Sequence, residues 1–125
     1  MTTNDIKSTS PSTTGTGTRT FSLRLYGISL DAVAELHAVE KAIRKHDPDL
    51  ADELRRASKS MHLNLAEGMD TAGRNRNARF RIALGECNEC LAILDIARAR
   101  EQATPNARCT DRVQHVRATL LKLTR

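Results

Sequence analysis

The sequence predicts an all-α protein, more specifically an antiparallel up-down-up-down four-helix bundle. Three observations lead to this prediction. Hydrophobic residues make up 39% of the 125 residues, but Phe, Tyr and Trp together make up only 2%, so the core is expected to consist of aliphatic side chains and alanine. Those residue types favour helices over strands. Four segments also carry apolar residues at helical spacing, with short polar turns between them.

The start of the chain is polar. Residues 1–20 are rich in Ser, Thr and Gly and are predicted to be a disordered tail, and residues 21–125 are predicted to be a single four-helix-bundle domain. The segment FSLRLYG, residues 21–27, alternates apolar and polar side chains. We expect an extended lead-in there that lies on the bundle, because no second strand is available to pair with it.

The first helix is expected to begin at Ser29, as its N-cap, and to run to about Lys45. The second follows Asp47, which can cap it, with Pro48 at the first helical position, and ends near Gly68. The expected buried stripes are Ala32, Leu36, Val39 and Ile43 on the first helix, and Leu50, Leu54, Ala57, Met61 and Leu65 on the second.

The third helix is expected over about Asn75 to Gln102, and the fourth begins at Thr104 and Pro105, again a cap followed by proline. The expected core residues are Phe80, Leu84, Cys87, Leu91 and Leu94 on the third helix, and Cys109, Val113, Val116, Leu120 and Leu123 on the fourth.

Some apolar residues exceed what the bundle core requires. Leu63 points away from the core stripe of its helix, and Ile82, Ile93 and Ile96 share a face opposite Phe80 and Leu84. One interpretation is that the third helix is central and buried on most sides. The other is that these four residues form an interface between copies of the chain, in which case a closed ring would gather the positive charge of the subunits.

The positive charge is concentrated in one segment. The chain has a net charge of +5, and residues 55–81 hold seven basic and two acidic side chains. Such a segment can attract a polyanion, and the lack of aromatic residues predicts contacts to phosphate rather than stacked bases. The candidate nucleic-acid-binding residues are Arg55, Arg56, Lys59, Arg74, Arg76, Arg79 and Arg81.

The stretch SMHLNLAEG, residues 60–68, has polar side chains among leucines. His62 and Glu67 point about 140° apart on a helix, which weakens an acid–base pair. Asn64, Glu67 and Gly68 therefore form a candidate structural motif, in which the polar groups bond to a neighbouring helix or to backbone and the glycine allows close approach or a left-handed cap. Ligand binding or catalysis is the alternative.

Cys87 and Cys90 form a C-x-x-C pattern, but mid-helix, where the thiols are expected to be buried rather than redox-active. With Cys109 and the histidines, they show no zinc-ligand spacing. No metal, no cofactor and no enzymatic activity are expected. No membrane segment or signal core is visible, and three cysteines cannot all pair, so a cytoplasmic protein that does not bind membranes is expected.

Two blocks of sequence resemble a known family. LRRASKSMHLNLAEG, residues 54–68, and RFRIALGECNECLAILDIA, residues 79–97, are similar to the four-helix-bundle proteins encoded in intervening sequences of bacterial 23S ribosomal RNA genes. The matching positions are Arg55, Arg56, Ala57, Asn64, Ala66, Glu67, Gly68, Ile82, Ala83, Leu84, Gly85 and Glu89. The start of the third helix departs from the family pattern, with arginines and a single aromatic residue.

A branch of similar fold comprises the accessory proteins of diversity-generating retroelements. That resemblance implies a pentameric ring that binds nucleic acid and a reverse transcriptase. The sequence thus predicts a non-enzymatic, oligomeric nucleic-acid-binding accessory protein. The alternatives are a protein-interaction scaffold without a nucleic-acid role and, more remotely, a nuclease that uses His62 or Glu67.

Overall fold

The computed structural model describes the backbone of residues 17–125 and the side chains from Leu23 onward. This part of the chain contains four α-helices and no strand. The helices are α1 (Gly17–Arg44), α2 (Pro48–Met69), α3 (Gly73–Ala99) and α4 (Ala107–Leu123). Helix α2 packs against α1 and α3, and α4 closes the bundle by packing against the same two helices. The all-α, four-helix prediction is confirmed.

The extended lead-in prediction is wrong. Residues 21–27 lie inside α1, which begins at Gly17, and Ser29 is a buried interior residue rather than an N-cap. Leu25 is buried and extends the α1 core stripe by two turns, since Leu25, Ser29 and Ala32 follow one another at helical spacing. Residues 1–16, most of the predicted tail, lie outside the described residues.

The observed helix boundaries match the predicted ones to different degrees. Asp47 caps α2 as predicted, because its carboxylate accepts a hydrogen bond from the backbone N–H of Leu50 at 3.1 Å, and Pro48 opens the helix. Helix α4 begins later than predicted: Asn106, not Thr104, is its N-cap, and its side-chain oxygen accepts from the N–H of Cys109 at 2.8 Å. Helix α3 ends at Ala99, three residues before Gln102.

The core consists of the predicted stripes. All four stripe residues of α1 are buried, as are four of the five on α2, three of the five on α3 and four of the five on α4. The exceptions are Leu50, Leu84, Leu91 and Leu123, which are partly buried and pack against the same cluster. Phe80 is 1% exposed and is the largest side chain in this core.

Candidate nucleic-acid interface

The α2–α3 hairpin determines what most of the predicted basic residues do. Arg56 on α2 reaches across to α3, where its guanidinium contacts Glu89 at 2.7 Å and Glu86 at 3.3 Å. Hydrogen bonds to Glu89 and Glu86 raise the pKa of Arg56 further above its ordinary value. Because two carboxylates already neutralise it, Arg56 contributes little attraction for a phosphate.

Arg79 joins α3 to the polar motif of α2. Its Nε lies 3.2 Å from Glu67, and its Nη1 donates to the side-chain oxygen of Asn64 at 3.1 Å. The amide nitrogen of Asn64 donates in turn to the carbonyl oxygen of Ser60 at 2.9 Å and to the Ser60 hydroxyl at 3.1 Å. Asn64 and Glu67 thus bond to a neighbouring helix, as the structural motif predicted. Their polar groups hold α2 to α3.

Gly68 allows the two helices to approach closely. A Cβ at this position would lie 2.5 Å from Cε1 of the buried Phe80 ring. Gly68 is itself buried in the last turn of α2, and the guanidinium of Arg76 lies over the Phe80 ring, with its Cζ 5.4 Å from the centroid. The glycine is therefore needed for space, not for a left-handed cap.

Arg81 points to a different side of the bundle from Arg79. Its Nη2 donates to the backbone carbonyl of Thr124 at 3.0 Å, just beyond the end of α4. A cation is favourable there because the carbonyl end of a helix carries partial negative charge. Arg79 and Arg81 therefore connect α3 to α2 and to α4, respectively, and do not share one surface.

The remaining four basic candidates have no ion pair with any described residue. Arg74 is exposed in the first turn of α3, where no acidic side chain is present and Ala72 provides no side-chain cap. Arg55 and Lys59 are exposed on α2. Arg55 is fourteen residues from the end of α2 at Met69, or about 21 Å along the helix axis. The seven predicted residues thus do not form one continuous patch.

In space, the charge divides between the two halves of the bundle. Contacts between Tyr26 and His62, Arg79 and Asn64, and Arg81 and Thr124 bring residues 23–33, 59–85 and 120–125 together around the α2–α3 turn. This half, which we call the basic end, carries eight basic and three acidic side chains. The other half, residues 34–58 and 86–119, carries ten basic and eleven acidic side chains.

The basic end includes residues that the sequence segment 55–81 misses. Arg24 on α1, Lys122 on α4 and Arg125 beyond it are all exposed at this end. They are far from residues 55–81 in sequence, so a count along the chain separates them. Arg108 and Arg112 of α4 lie in the other half and face Glu35 of α1 at 3.8 and 2.7 Å.

The predicted interface residues divide into exposed and buried. Leu63 is 56% exposed, Ile82 46% and Ile96 41%. Ile93 is only 3% exposed, so its assignment to an outer face is wrong: it belongs to the core. Ile93 lies one turn beyond Glu89, which Arg56 contacts, and it belongs to the same core cluster as Ala51 and Leu54 of α2. Ile82, on the same side of a helical wheel, is not part of that cluster.

Leu63 lies beside a groove between α1 and α2. The groove has a volume of about 690 Å³, and its apolar lining includes Leu30, Val33 and Ala34 of α1. Arg55, Lys59 and His37 line it as well, and Leu30 is exposed in it. The groove therefore combines apolar side chains with charged ones, which are Glu40 on α1 and Arg55 and Lys59 on α2.

His62 also lines this groove. Its Nδ1 is 2.9 Å from the buried Ser29 hydroxyl, and its ring packs edge-to-face on Tyr26 at 4.5 Å. Its Nε2 is buried and has no hydrogen-bond partner among the described residues. Burial lowers the pKa of His62, so the imidazole is neutral at neutral pH.

The cysteines are buried and reduced. Cys87, Cys90 and Cys109 are free thiols inside the bundle, and burial raises the pKa of Cys87 to about 12 and that of Cys109 to about 11. Over residues 17–125, no group of His, Cys, Asp or Glu side chains is arranged to hold a metal ion. None of the four helices is apolar enough over a sufficient length to cross a membrane.

These features define a class: a four-helix, all-α protein with a basic end and exposed apolar residues on two of its sides. The chain belongs to the family of 23S rRNA-intervening sequence proteins, whose sequence profile matches residues 22–121. The family resemblance found in the two sequence blocks is thereby confirmed.

A solved structure has a similar fold. It is the crystal structure of a protein of unknown function from the S23 ribosomal protein family of Bacteroides thetaiotaomicron, with a TM-score of 0.72 and 16% sequence identity. The similarity covers 83% of the present chain and 97% of the other. At this identity, the likeness concerns the fold alone. No curated protein matches the chain.

Proposed function

We propose that this protein is a non-enzymatic, homo-oligomeric nucleic-acid-binding protein whose basic end contacts the phosphates of RNA or DNA. The observation that carries the proposal is the separation of charge, with eight basic and three acidic side chains at this end against ten and eleven in the other half. A local excess of positive charge attracts polyanions over a distance of about one Debye length, roughly 8 to 10 Å at physiological salt.

Arg74 and Arg76 are the central phosphate-binding residues in this proposal. They lie in the first turn of α3 and form no ion pair with any described residue, whereas Arg79 is held by Glu67. Arginine offers a planar fork of donors that fits a phosphate. Among the described side chains, none is expected to stack on bases, since Phe80 is buried and Tyr26 packs against His62. Binding should therefore depend on charge and shape, not on base sequence.

The biological setting is part of the proposal. The family name connects these proteins with intervening sequences in 23S rRNA genes, and the resemblance to retroelement accessory proteins suggests a reverse transcriptase as partner. The free, buried thiols fit a reducing compartment and so support a cytoplasmic location.

We further infer an antiparallel up-down-up-down order and a closed ring, with five subunits by resemblance. The antiparallel order is supported by contact pairs whose residue numbers run in opposite directions, such as Ser29 with His62 and Arg44 with Asp52. Self-association is supported by Leu63, Ile82 and Ile96, large apolar side chains that the single chain leaves exposed.

The test is a fluorescence-anisotropy titration with single-stranded and duplex RNA and DNA, at salt concentrations between about 50 and 200 mM. Affinity should fall steeply as salt rises. The double substitution Arg74→Gln and Arg76→Gln should weaken binding to all sequences alike, and should lower the slope of log affinity against log salt by about 2, because each lost phosphate contact removes about 0.9.

The matched control is Lys41→Gln with Lys45→Gln, which removes the same charge at the end of α1. These two lysines lie near the start of α2, and the length of α2 places them about 33 Å from the α2–α3 turn. Arg79 is not a suitable substitution, because losing it would also loosen α2 from α3. An equal loss of nucleic-acid affinity in both double variants, or an affinity that does not change with salt concentration, would contradict the proposal.

A protein-interaction scaffold is the second candidate, and the groove between α1 and α2 with exposed Leu63 favours it. On that hypothesis, the protein recovers a partner from nuclease-treated extract but retains no RNA or DNA in the titration above.

A further inference from the structure

The ion pairs are distributed unevenly between the two halves of the bundle. In the half formed by residues 34–58 and 86–119, six of the ten basic side chains have a carboxylate oxygen within 3.8 Å: Arg44, Arg56, Arg98, Arg100, Arg108 and Arg112. At the basic end, one of the eight has such a contact with a described residue, and it is Arg79, whose Nε lies 3.2 Å from Glu67. Glu67 therefore withdraws one cation from a surface whose other basic side chains have no ion pair in the described part of the chain.

Glu67 and Arg79 meet because α2 and α3 approach each other closely at this level. Gly68 and Phe80 follow them on the two helices, and a Cβ on Gly68 would lie 2.5 Å from Cε1 of the ring. Arg79 is fixed by two contacts, from Nε to the Glu67 carboxylate and from Nη1 to the side-chain oxygen of Asn64 at 3.1 Å. Its Nη2 has no hydrogen-bond partner among the described residues, and the side chain is 46% exposed. A phosphate can therefore reach the guanidinium without breaking either contact.

The charge of Glu67 is not required to fold the α2–α3 hairpin. The Glu67 side chain is 59% exposed, and ion pairs at such exposure contribute little to stability. Phe80, in contrast, is 1% exposed and anchors α3 in the core. After Glu67→Gln, the side chain would still offer an oxygen to the N–H of Arg79, since the amide has the same length and an acceptor. The negative charge itself therefore has its main effect on the attraction for polyanions.

Arg81 shows the effect of a neutral partner on a cation at the same end. Its Nη2 donates to the backbone carbonyl of Thr124 at 3.0 Å, and no ion pair joins it to a described residue. A carbonyl carries no net charge, so Arg81 keeps its attraction for a phosphate. A phosphate that approaches Arg79 instead meets the Glu67 carboxylate beside the guanidinium. At such short separations, attraction by one unit charge and repulsion by the other largely cancel.

We propose that Glu67 restrains Arg79 electrostatically, so that the basic end makes fewer phosphate contacts than its geometry allows. This inference rests on the proposed nucleic-acid function and concerns the regulation of that site. In the wild-type protein, phosphates contact residues without a carboxylate partner, such as Arg74 and Arg76. Arg79 is a reserve contact that becomes available when the charge of Glu67 is removed. The restraint keeps the affinity lower and the complex more readily reversible.

The test compares Glu67→Gln with the wild-type protein in the anisotropy titration, with duplex DNA as the probe. The variant loses the charge but keeps the hydrogen-bond acceptor, so the side chain of Arg79 should stay in place. It should bind more tightly than the wild-type protein and should steepen the slope of log affinity against log salt by about 0.9, the value of one phosphate contact. Its advantage over the wild-type protein should therefore shrink about 3.5-fold between about 50 and 200 mM salt.

The matched control is Asp70→Asn, which removes the same charge from the same end, three residues further along the chain. Asp70 is exposed and has no ion pair with a described residue. Its variant should raise the affinity less and leave the slope unchanged, and circular dichroism should show wild-type helicity in both variants. The same steepening in both would mean that only the total charge matters. That result overturns the restraint, as does an unchanged slope or a weaker binding of Glu67→Gln, which would mean that Glu67 positions Arg79 for the phosphate.

A second measurement does not depend on nucleic acid. It follows the side-chain Nε–H signals of the arginines in an NMR spectrum, with inorganic tripolyphosphate as the probe. In the wild-type protein, tripolyphosphate should shift the signals of Arg74 and Arg76 but not that of Arg79, whereas in Glu67→Gln it should shift all three. Equal behaviour of the Arg79 signal in the two proteins would overturn the restraint. Failure of Arg74→Gln with Arg76→Gln to weaken DNA binding would instead refute the nucleic-acid proposal, so the two can fail separately.

Discussion

The close contact between Gly68 and Phe80 makes a quantitative prediction about the α2–α3 hairpin. In the Gly68→Ala variant, the new Cβ would lie 2.5 Å from Cε1 and 2.6 Å from Cδ1 of Phe80, well inside the roughly 3.5 Å at which carbon atoms attract. The ring is 1% exposed and cannot swing into solvent. Overpacking a core in this way costs about 1 to 3 kcal/mol, while replacing glycine in a helix regains at most about 1 kcal/mol.

Gly68→Ala should therefore lower the free energy of unfolding by about 1 kcal/mol, and by no more than about 3 kcal/mol. The matched background is Phe80→Ala, which removes Cδ1 and Cε1, the two ring atoms that the new methyl group meets most closely. In that background, Gly68→Ala should be neutral or stabilising, by up to about 1 kcal/mol, because only the helix-propensity term remains. The sign of the effect depends on residue 80.

The measurement is urea unfolding of all four proteins, followed by circular dichroism at helical wavelengths, with the free energy obtained from the midpoint and the slope. The double-mutant cycle isolates the contact between the two positions. An equal loss of stability from Gly68→Ala in both backgrounds would falsify the close-approach explanation, since the cost would then come from the backbone of Gly68 itself.

Two further predictions concern buried titratable groups. Burial lowers the pKa of His62 below its ordinary value of 6.5, so the unfolded chain takes up a proton that the folded one resists. The stability that neutral His62 contributes is therefore complete above about pH 6.5 and is lost as the pH falls below that value. Urea unfolding between about pH 7.5 and 5.5 should show a falling free energy of unfolding, and the His62→Gln variant should show a weaker pH dependence. Raised pKa values and burial of Cys87 and Cys109 should make the native thiols nearly inert to a thiol-specific reagent near neutral pH, and labelling should become rapid in denaturant. Fast labelling of the folded protein would contradict their placement in the core.

The sequence was sufficient for the helices wherever apolar spacing and capping chemistry agreed. The stripe from Ala32 to Ile43 and the cap at Asp47 are examples, since the spacing of buried side chains and the capping preference are local properties of the chain. The start of α1 was missed because Phe21, Leu23 and Leu25 alternate like a strand. Only contact with the bundle shows that Leu25 continues the stripe of Ala32.

The candidate site was harder to predict because charge is counted along the chain but acts through space. Arg56 and Arg74 belong to the same basic segment, yet Arg56 is neutralised by Glu86 and Glu89, whose distance from it no local pattern reveals. Arg24 and Arg125 are about a hundred residues apart in sequence, and helix packing brings both to the basic end. The same limit applies to Ile93, whose burial depends on where α2 crosses α3.

The uneven charge of the two halves makes the molecule an electric dipole directed along its helices. In the field of a polyanion, a dipole experiences a torque, so the bundle would turn its α2–α3 turn toward the anion before the two touch. A larger fraction of encounters would then begin in the binding orientation. The opposite pole would face the solvent, with Asp49 and Glu53 exposed near the start of α2. That distal pole would remain accessible to a third molecule while the first is held.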